Sequence, residues 1–338
     1  MHRTPHRISA RALALAGLAL AVLGASSCSQ DPKVEAAVVE RTSTTVAETT
    51  TVAPPPPPPP VAPLTGLPVN PGEEGLLGRP ALAVKIDNSQ PAVPQDGLNR
   101  ADIVIEVKVE GISRLMSVFH SHDAASIGPT RSARHSDPDL LALFGRPLFG
   151  WSGANEEVAE AVLEVPWIVN VPWDRVKSAY TRRGPKAAPH NLYTSSAPLY
   201  GRATPDQAPP APIFDRLAPG EAVPGASPIG GVSLSVGETP SSWAWDPASS
   251  KFLRWEYGRR HGTDEGQASA DNVVILQTPY SRGPIAQTVG GGRAWLLVAG
   301  TIVEGTWTRP ARTDRYTLTG LDGSPLKLAP GRTWIELP

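Results

Sequence analysis

The chain has 338 residues, 40% of them hydrophobic, with a formal net charge of −1. That length and composition exclude a disordered polymer and leave room for two medium-sized domains. The near-zero charge excludes a global field steering the protein to nucleic acid, so any anion recognition must come from a local cluster.

The basic residues His2, Arg3, His6, Arg7 and Arg11 precede an uninterrupted apolar run, Ala12 to Leu23. The run is too short to span a bilayer as a helix and has the length of a signal-peptide core. Gly24-Ala25-Ser26-Ser27 and then Cys28 follow in the pattern of a lipobox, whose small residues fit an extended backbone into the peptidase; Ala25 stands where a larger aliphatic residue is usual. Residues 1–27 therefore read as a signal peptide and Cys28 as a lipidated N-terminus carrying diacylglycerol and palmitate. The folded part would then be held outside the cytoplasm, at the outer face of the cytoplasmic membrane. The alternative is an ordinary cleaved signal with an incidental cysteine. Cys28 is the only cysteine, so the remainder has no disulfide, cysteine nucleophile or thiolate metal site.

Residues 28–63 read as a disordered Thr/Pro-rich stalk ending in seven consecutive prolines, Pro54 to Pro60. At about 3.1 Å per residue, that run makes a polyproline II rod of roughly 20 Å. A spacer is one reading and a proline-rich docking ligand the other. Folded sequence is expected from Leu64. Ala81 to Ile86 reads as a buried strand ending at Asp87 and Asn88. Asp102 to Val109 alternates with period two and pairs back through Glu110-Gly111 onto Ile112 to His120 as a hairpin. Asp137 and Pro138 open a short helix through Phe144, Leu148 to Trp151 is a strand, and Asn155 caps a helix through Glu164. Ile168 to Val171 is a further strand. The segment 64–205 thus reads as a mixed α/β domain.

Residues 206–228 are rich in proline and glycine and read as a linker. Residues 229–338 read as a smaller β-rich domain or a β extension of the first sheet, giving an α+β class overall. Its strands are expected at Trp243 to Trp245, Lys251 to Tyr257, Val273 to Gln277, Ala294 to Val298 and Thr301 to Thr308. Ala299-Gly300 and Asp322-Gly323 are two-residue hairpin signals, and Gly290-Gly291-Gly292 reads as a flexible turn. The six tryptophans of this half read as core, with a glycan platform as the alternative.

Three constellations could carry chemistry. Arg131, Ser132 and Arg134, with Arg114 from the hairpin, offer guanidinium forks suited to phosphate or carboxylate. The alternative is that these arginines lock a loop by pairing with Glu106, Glu110, Asp137 or Asp139. His190 beside Asn191 could act as acid, base or ligand, or could fix a turn. His120 and His122, with His135, fall short of the ligand count a zinc site needs, and no metal is assigned.

Several stretches together resemble the YerB-type lipoproteins, a two-domain bacterial surface family of unknown function. They are Pro63-Leu64-Thr65-Gly66-Leu67-Pro68, Val84-Lys85-Ile86-Asp87-Asn88, Ala101-Asp102-Ile103-Val104, Gly128 to Arg134, Ala188 to Ser195, Gly305-Thr306-Trp307 and Pro330 to Ile335. The resemblance covers nearly everything from Leu64 onward and brings Asp87, Asn88, Glu106, Glu110, Arg114, Arg131, Arg134, His190 and Asn191 into family motifs. It implies no established reaction. The first reading is a binding or scaffold lipoprotein holding an anionic ligand or cell-wall polymer with Arg131, Arg134 and Arg114, without a cofactor. The alternative is an envelope enzyme acting on phosphate-linked wall polymers. Asp87 and Glu106 would then hold Mg and His190 would transfer protons.

Overall fold

The computed structural model describes residues 59–281 and 283–338. The signal segment, Cys28 and most of the stalk lie outside the described residues. The packed chain starts earlier than Leu64: Val69 N donates to the Pro60 carbonyl at 3.0 Å, Val61 bridges Pro68, and Ala62 and Leu64 are both buried. Gly66, with φ of 69°, makes the turn that brings these residues back on themselves.

The apolar runs and their turns produce the expected N-terminal strands. β1 (Leu82–Asp87) lies antiparallel to β3 (Ser113–Phe119), which pairs with β2 (Ile103–Lys108) as a hairpin. β4 (Leu148–Gly150) and β5 (Val169–Asn170) continue outward, parallel to β1. Helices are short: α1 (Asp137–Leu141), α2 (Glu156–Leu163) and α3 (Ser196–Tyr200). Pro138 opens α1, and Gly145, at φ of 72°, stops the following turn. The Asn155 side chain caps α2 by accepting from Val158 N at 2.9 Å, a contact worth about 1 kcal/mol. The N-terminal segment is therefore mostly β, and the mixed α/β expectation overestimates its helix.

The C-terminal strands are β6 (Gly231–Val236), β7 (Thr239–Asp246), β8 (Lys251–Glu256), β9 (Asn272–Leu276), β10 (Gly290–Val298), β11 (Thr301–Arg309), β12 (Thr317–Gly320) and β13 (Thr333–Leu337). The three glycines at 290–292 are the first residues of β10 and not a turn. The main sheet runs β12-β11-β10-β9-β13-β2-β3-β1-β4-β5. Its joint is β13, which lies parallel to β9 on one side and to β2 on the other. The C-terminal segment is thus an extension of the first sheet. β6, β7 and β8 form a second sheet, with Arg259–Arg260 and Ser269–Ala270 paired to β8.

Side chains on the two faces of the main sheet enter different cores. One holds Ile105, Met116, Phe144, Phe149, Trp151, Val162 and Trp307; the other holds Val84, Leu115, Phe119, Trp243, Phe252 and Trp334. Each fully buried aliphatic or aromatic side chain contributes about 1.5–3 kcal/mol. Trp243, Trp307 and Trp334 are core residues, whereas Trp245, Trp255 and Trp295 are half-buried. Residues 206–228 are not a free linker: Ile213 and Phe214 are buried, and Leu217 N donates to the Leu328 carbonyl at 2.8 Å.

Candidate functional site

Asp87 closes β1 and is fully buried. The register places it opposite Arg114 on β3, and Arg114 Nη1 donates to Asp87 Oδ1 at 2.9 Å. Ser89 N donates to the same oxygen at 3.1 Å. Oδ2 is shared by His190 Nδ1 at 2.7 Å and Arg131 Nε at 3.1 Å. The Arg131 contact is an ion pair whose angle does not make a hydrogen bond. Arg131 is delivered by backbone pairing: its N–H donates to the Lys85 carbonyl at 2.9 Å, and Thr130 bridges Ile86. His190 stands on the loop that returns into Leu192, whose carbonyl accepts from Thr130 N at 2.6 Å.

Burial pushes the Asp87 carboxyl upward. Arg114, the hydrogen bonds from His190 and Ser89, and Arg131 outweigh it, so the group is held below its usual value. Burial, against the pull of Asp87 and with Arg131 and Arg134 nearby, brings Arg114 down to about 10, still charged at neutral pH. His190 Nδ1 faces the carboxylate, and among the described residues Nε2 has no hydrogen-bond partner. Among the described residues Arg131 Nη1 and Nη2 have no hydrogen-bond partner, and its side chain is 24% exposed.

The other expected site residues do not all converge here. Arg134 donates through Nε and Nη2 to Glu110 Oε2, at 3.0 and 2.7 Å, and that glutamate is 64% exposed. Ser132 Oγ donates to the Ser152 carbonyl at 3.3 Å. Asn191 Oδ1 accepts from Arg182 Nη1 at 2.7 Å. Glu106 lies on the other face of the sheet: it pairs with Leu115, one residue on from Arg114, and neighbouring residues of a strand point to opposite sides. Asp87 and Glu106 therefore do not share a metal site. His120, His122 and His135 likewise have separate partners, namely the Arg79 carbonyl, Ser121 and Glu157.

On that second face Glu106 belongs to a buried polar cluster that the sequence reading missed. Arg254 Nη2 donates to Glu106 Oε2 and Nη1 to Glu256 Oε2, both at 2.5 Å, while Glu336 Oε1 lies 3.7 Å from Nε. Glu336 Oε1 accepts from Trp243 Nε1 at 2.8 Å, and the guanidinium stacks 4.9 Å from the Trp334 ring. His261 Nε2 faces Gln95 Oε1 at 2.8 Å. Gln95 also donates to the Asp87 carbonyl and to Asn88 Oδ1, and Asn88 in turn donates to Glu106. Hydrogen bonds thus run from the Asp87 backbone through the sheet to Arg254. The available signal was period two in β8, where Phe252, Arg254 and Glu256 share one face and Phe252 marks it as inward. Lys85, buried against Asp137 at 2.6 Å on the Asp87 face, was missed in the same way.

Residues 64–208 match the family model described as "Protein of unknown function (DUF3048) N-terminal domain", and residues 232–335 match its C-terminal domain. A relative in Bacillus subtilis (strain 168), named "Putative lipoprotein YerB", is 36% identical over 316 residues, spanning 82% of this chain and 85% of the relative. The crystal structure of the YerB protein from Bacillus subtilis superposes with a TM-score of 0.69, covering 82% of this chain and 96% of that one. Identity over the residues paired in space is 24%.

Proposed function

The chain belongs to the DUF3048 family, the YerB-type proteins, and from that premise we propose that it is a lipid-anchored extracytoplasmic module that binds an anionic group at Arg131 and His190. The name of the Bacillus relative and the lipobox at Cys28 support the anchor. One observation carries the binding reading. Buried Asp87 orients Arg131 and His190 through a single oxygen, yet the Arg131 fork stays unpaired among the described residues. A preset fork next to an imidazole suits a phosphate or carboxylate, because it donates two parallel hydrogen bonds with little further ordering. Arg114 supplies charge from beneath rather than contact. Arg134 is committed to Glu110, so it belongs to the loop and not to the ligand.

Titration of the full-length protein with inorganic phosphate, followed by NMR shifts of the His190 ring, tests this. Arg131→Lys keeps the charge but loses the fork. It should weaken phosphate binding about tenfold, or about 1.4 kcal/mol, with little change in melting temperature. Arg134→Ala should leave affinity unchanged and cost under about 1 kcal/mol of stability, since its partner is exposed. Equal affinity in Arg131→Lys and the parent would sink the reading.

The Asp87–His190 pair also favours a second reading, proton transfer in an enzyme on phosphate-linked wall polymers, because it leaves Nε2 free. The metal-assisted form of that reading needs Asp87 and Glu106 on one face, and the sheet separates them.

A further inference from the structure

A separate cavity of about 210 Å³ opens beside the buried Arg254 cluster. Glu256 lines it from β8 and His261 from the residue after the Arg259–Arg260 strand, and Gln90 and Val93 line it from the turn after β1. Tyr257 forms part of the wall, and the exposed Arg259 and Arg260 also line it. Glu256 is 5% exposed; one carboxylate oxygen is held by Arg254, and the other, Oε1, has no hydrogen-bond partner among the described residues. Burial pushes this carboxyl up against the attraction of Arg254. Tyr257 holds φ of 49° and Gly258 φ of 71°, the two-residue turn that reverses β8 onto Arg259. A tyrosine is an uncommon occupant of that backbone region, where asparagine or glycine sits without strain.

These groups restrict what could fill the cavity. An apolar occupant would leave the Glu256 oxygen buried without a partner. A simple cation would face the exposed guanidinium groups of Arg259 and Arg260. A simple inorganic anion would meet the Glu256 carboxyl. The remaining class both donates hydrogen bonds and carries negative charge. The cavity is smaller than the sites that take drug-sized molecules, so it admits one ring and its substituents. We propose that this cavity binds an anionic sugar unit, a single pyranose bearing a phosphate or carboxylate, with its hydroxyls on Glu256 and Gln90, its ring against Tyr257 and its charge on Arg259 and Arg260. The site is independent of the anion reading at Arg131, because it draws on none of the groups around the Asp87 carboxylate.

Calorimetric titration of the full-length Arg131→Ala variant, which lacks the guanidinium fork of the anion site proposed above, with glucuronate, glucose 6-phosphate, glucose and inorganic phosphate separates the possibilities. At least one of the two anionic sugars should bind saturably and at least tenfold more tightly than glucose or inorganic phosphate; which one binds identifies the acidic group. The exposed pair Arg259→Ala/Arg260→Ala should lose at least tenfold in affinity, and Glu256→Gln should weaken binding in the same direction. The proposal is overturned if neither anionic sugar binds, or if neither binds more tightly than both glucose and inorganic phosphate. It is overturned equally if adding Arg259→Ala/Arg260→Ala to Arg131→Ala leaves the sugar affinity unchanged. The arginines are solvent-exposed, so the test stands even if Glu256→Gln does not fold.

Discussion

Arg254 and Glu106, 148 residues apart in the chain, meet at 2.5 Å in a site closed to solvent. One guanidinium there faces three carboxylates, Glu106, Glu256 and Glu336, and ties the second sheet to the centre of the main one. Together the three raise the Arg254 pKa against the effect of its burial. Removing one partner of a buried pair leaves the others unmatched. Arg254→Leu should therefore cost about 3–5 kcal/mol, read by urea denaturation or as loss of soluble protein. A soluble variant within about 1 kcal/mol of the parent would show that the cluster contributes little to stability.

Burial and neighbouring Glu106 push the Glu336 carboxyl well above its usual value, against the attraction of Arg254. Its folded-state pKa is thus above the unfolded one. The stability it contributes is fully present below the unfolded carboxyl range, near pH 4, and is lost as pH rises through the folded value. Glu336→Gln removes this titration while keeping the shape and an acceptor for Trp243. The variant should match the parent at about pH 4 and exceed it by about 1 kcal/mol or more near pH 8. Parallel stability–pH curves for the two proteins would refute the assignment.

Asp87 behaves in the opposite sense. Its carboxyl is held below the usual range, so its contribution is present above the unfolded value of about 4 and is lost as pH falls through the folded one. Asp87→Asn leaves buried Arg114 without its counter-charge and should cost about 3–5 kcal/mol at neutral pH. It should also remove part of the acid-side loss of stability. Thermal melts between pH 3 and 7 (roughly the span over which carboxylates titrate) decide the point. An unchanged acid profile in the variant would place the acid sensitivity on other carboxylates.

The proposed anchor, Cys28, lies outside the described residues and is tested in cells. Cys28→Ser should release the protein to the medium or leave an uncleaved precursor, because a cysteine thiol is what accepts the diacylglyceryl group. Membrane fractionation followed by mass measurement of the N-terminus reads the result. A variant that is processed normally and still sediments with membranes would disprove lipidation.

What was legible in the sequence is what short-range physics governs. Period two located the β2–β3 hairpin within a residue or two, the Asn155 cap placed the start of α2, and Ala299-Gly300 marked the β10–β11 turn. Each depends on residues a few positions apart, so the local chain carries the whole instruction. Only the tertiary structure decided that β13 inserts between β2 and β9 and makes one sheet of two sequence segments. It alone decided that Arg134 turns to Glu110 while Arg131 and His190 meet on Asp87. The same holds for Asp87 and Glu106. Alternation says that residues along one strand change sides, but which residues of two different strands share a side depends on their register. Register is set by long-range pairing and by the apolar area each face must bury, and no single stretch of the chain records either.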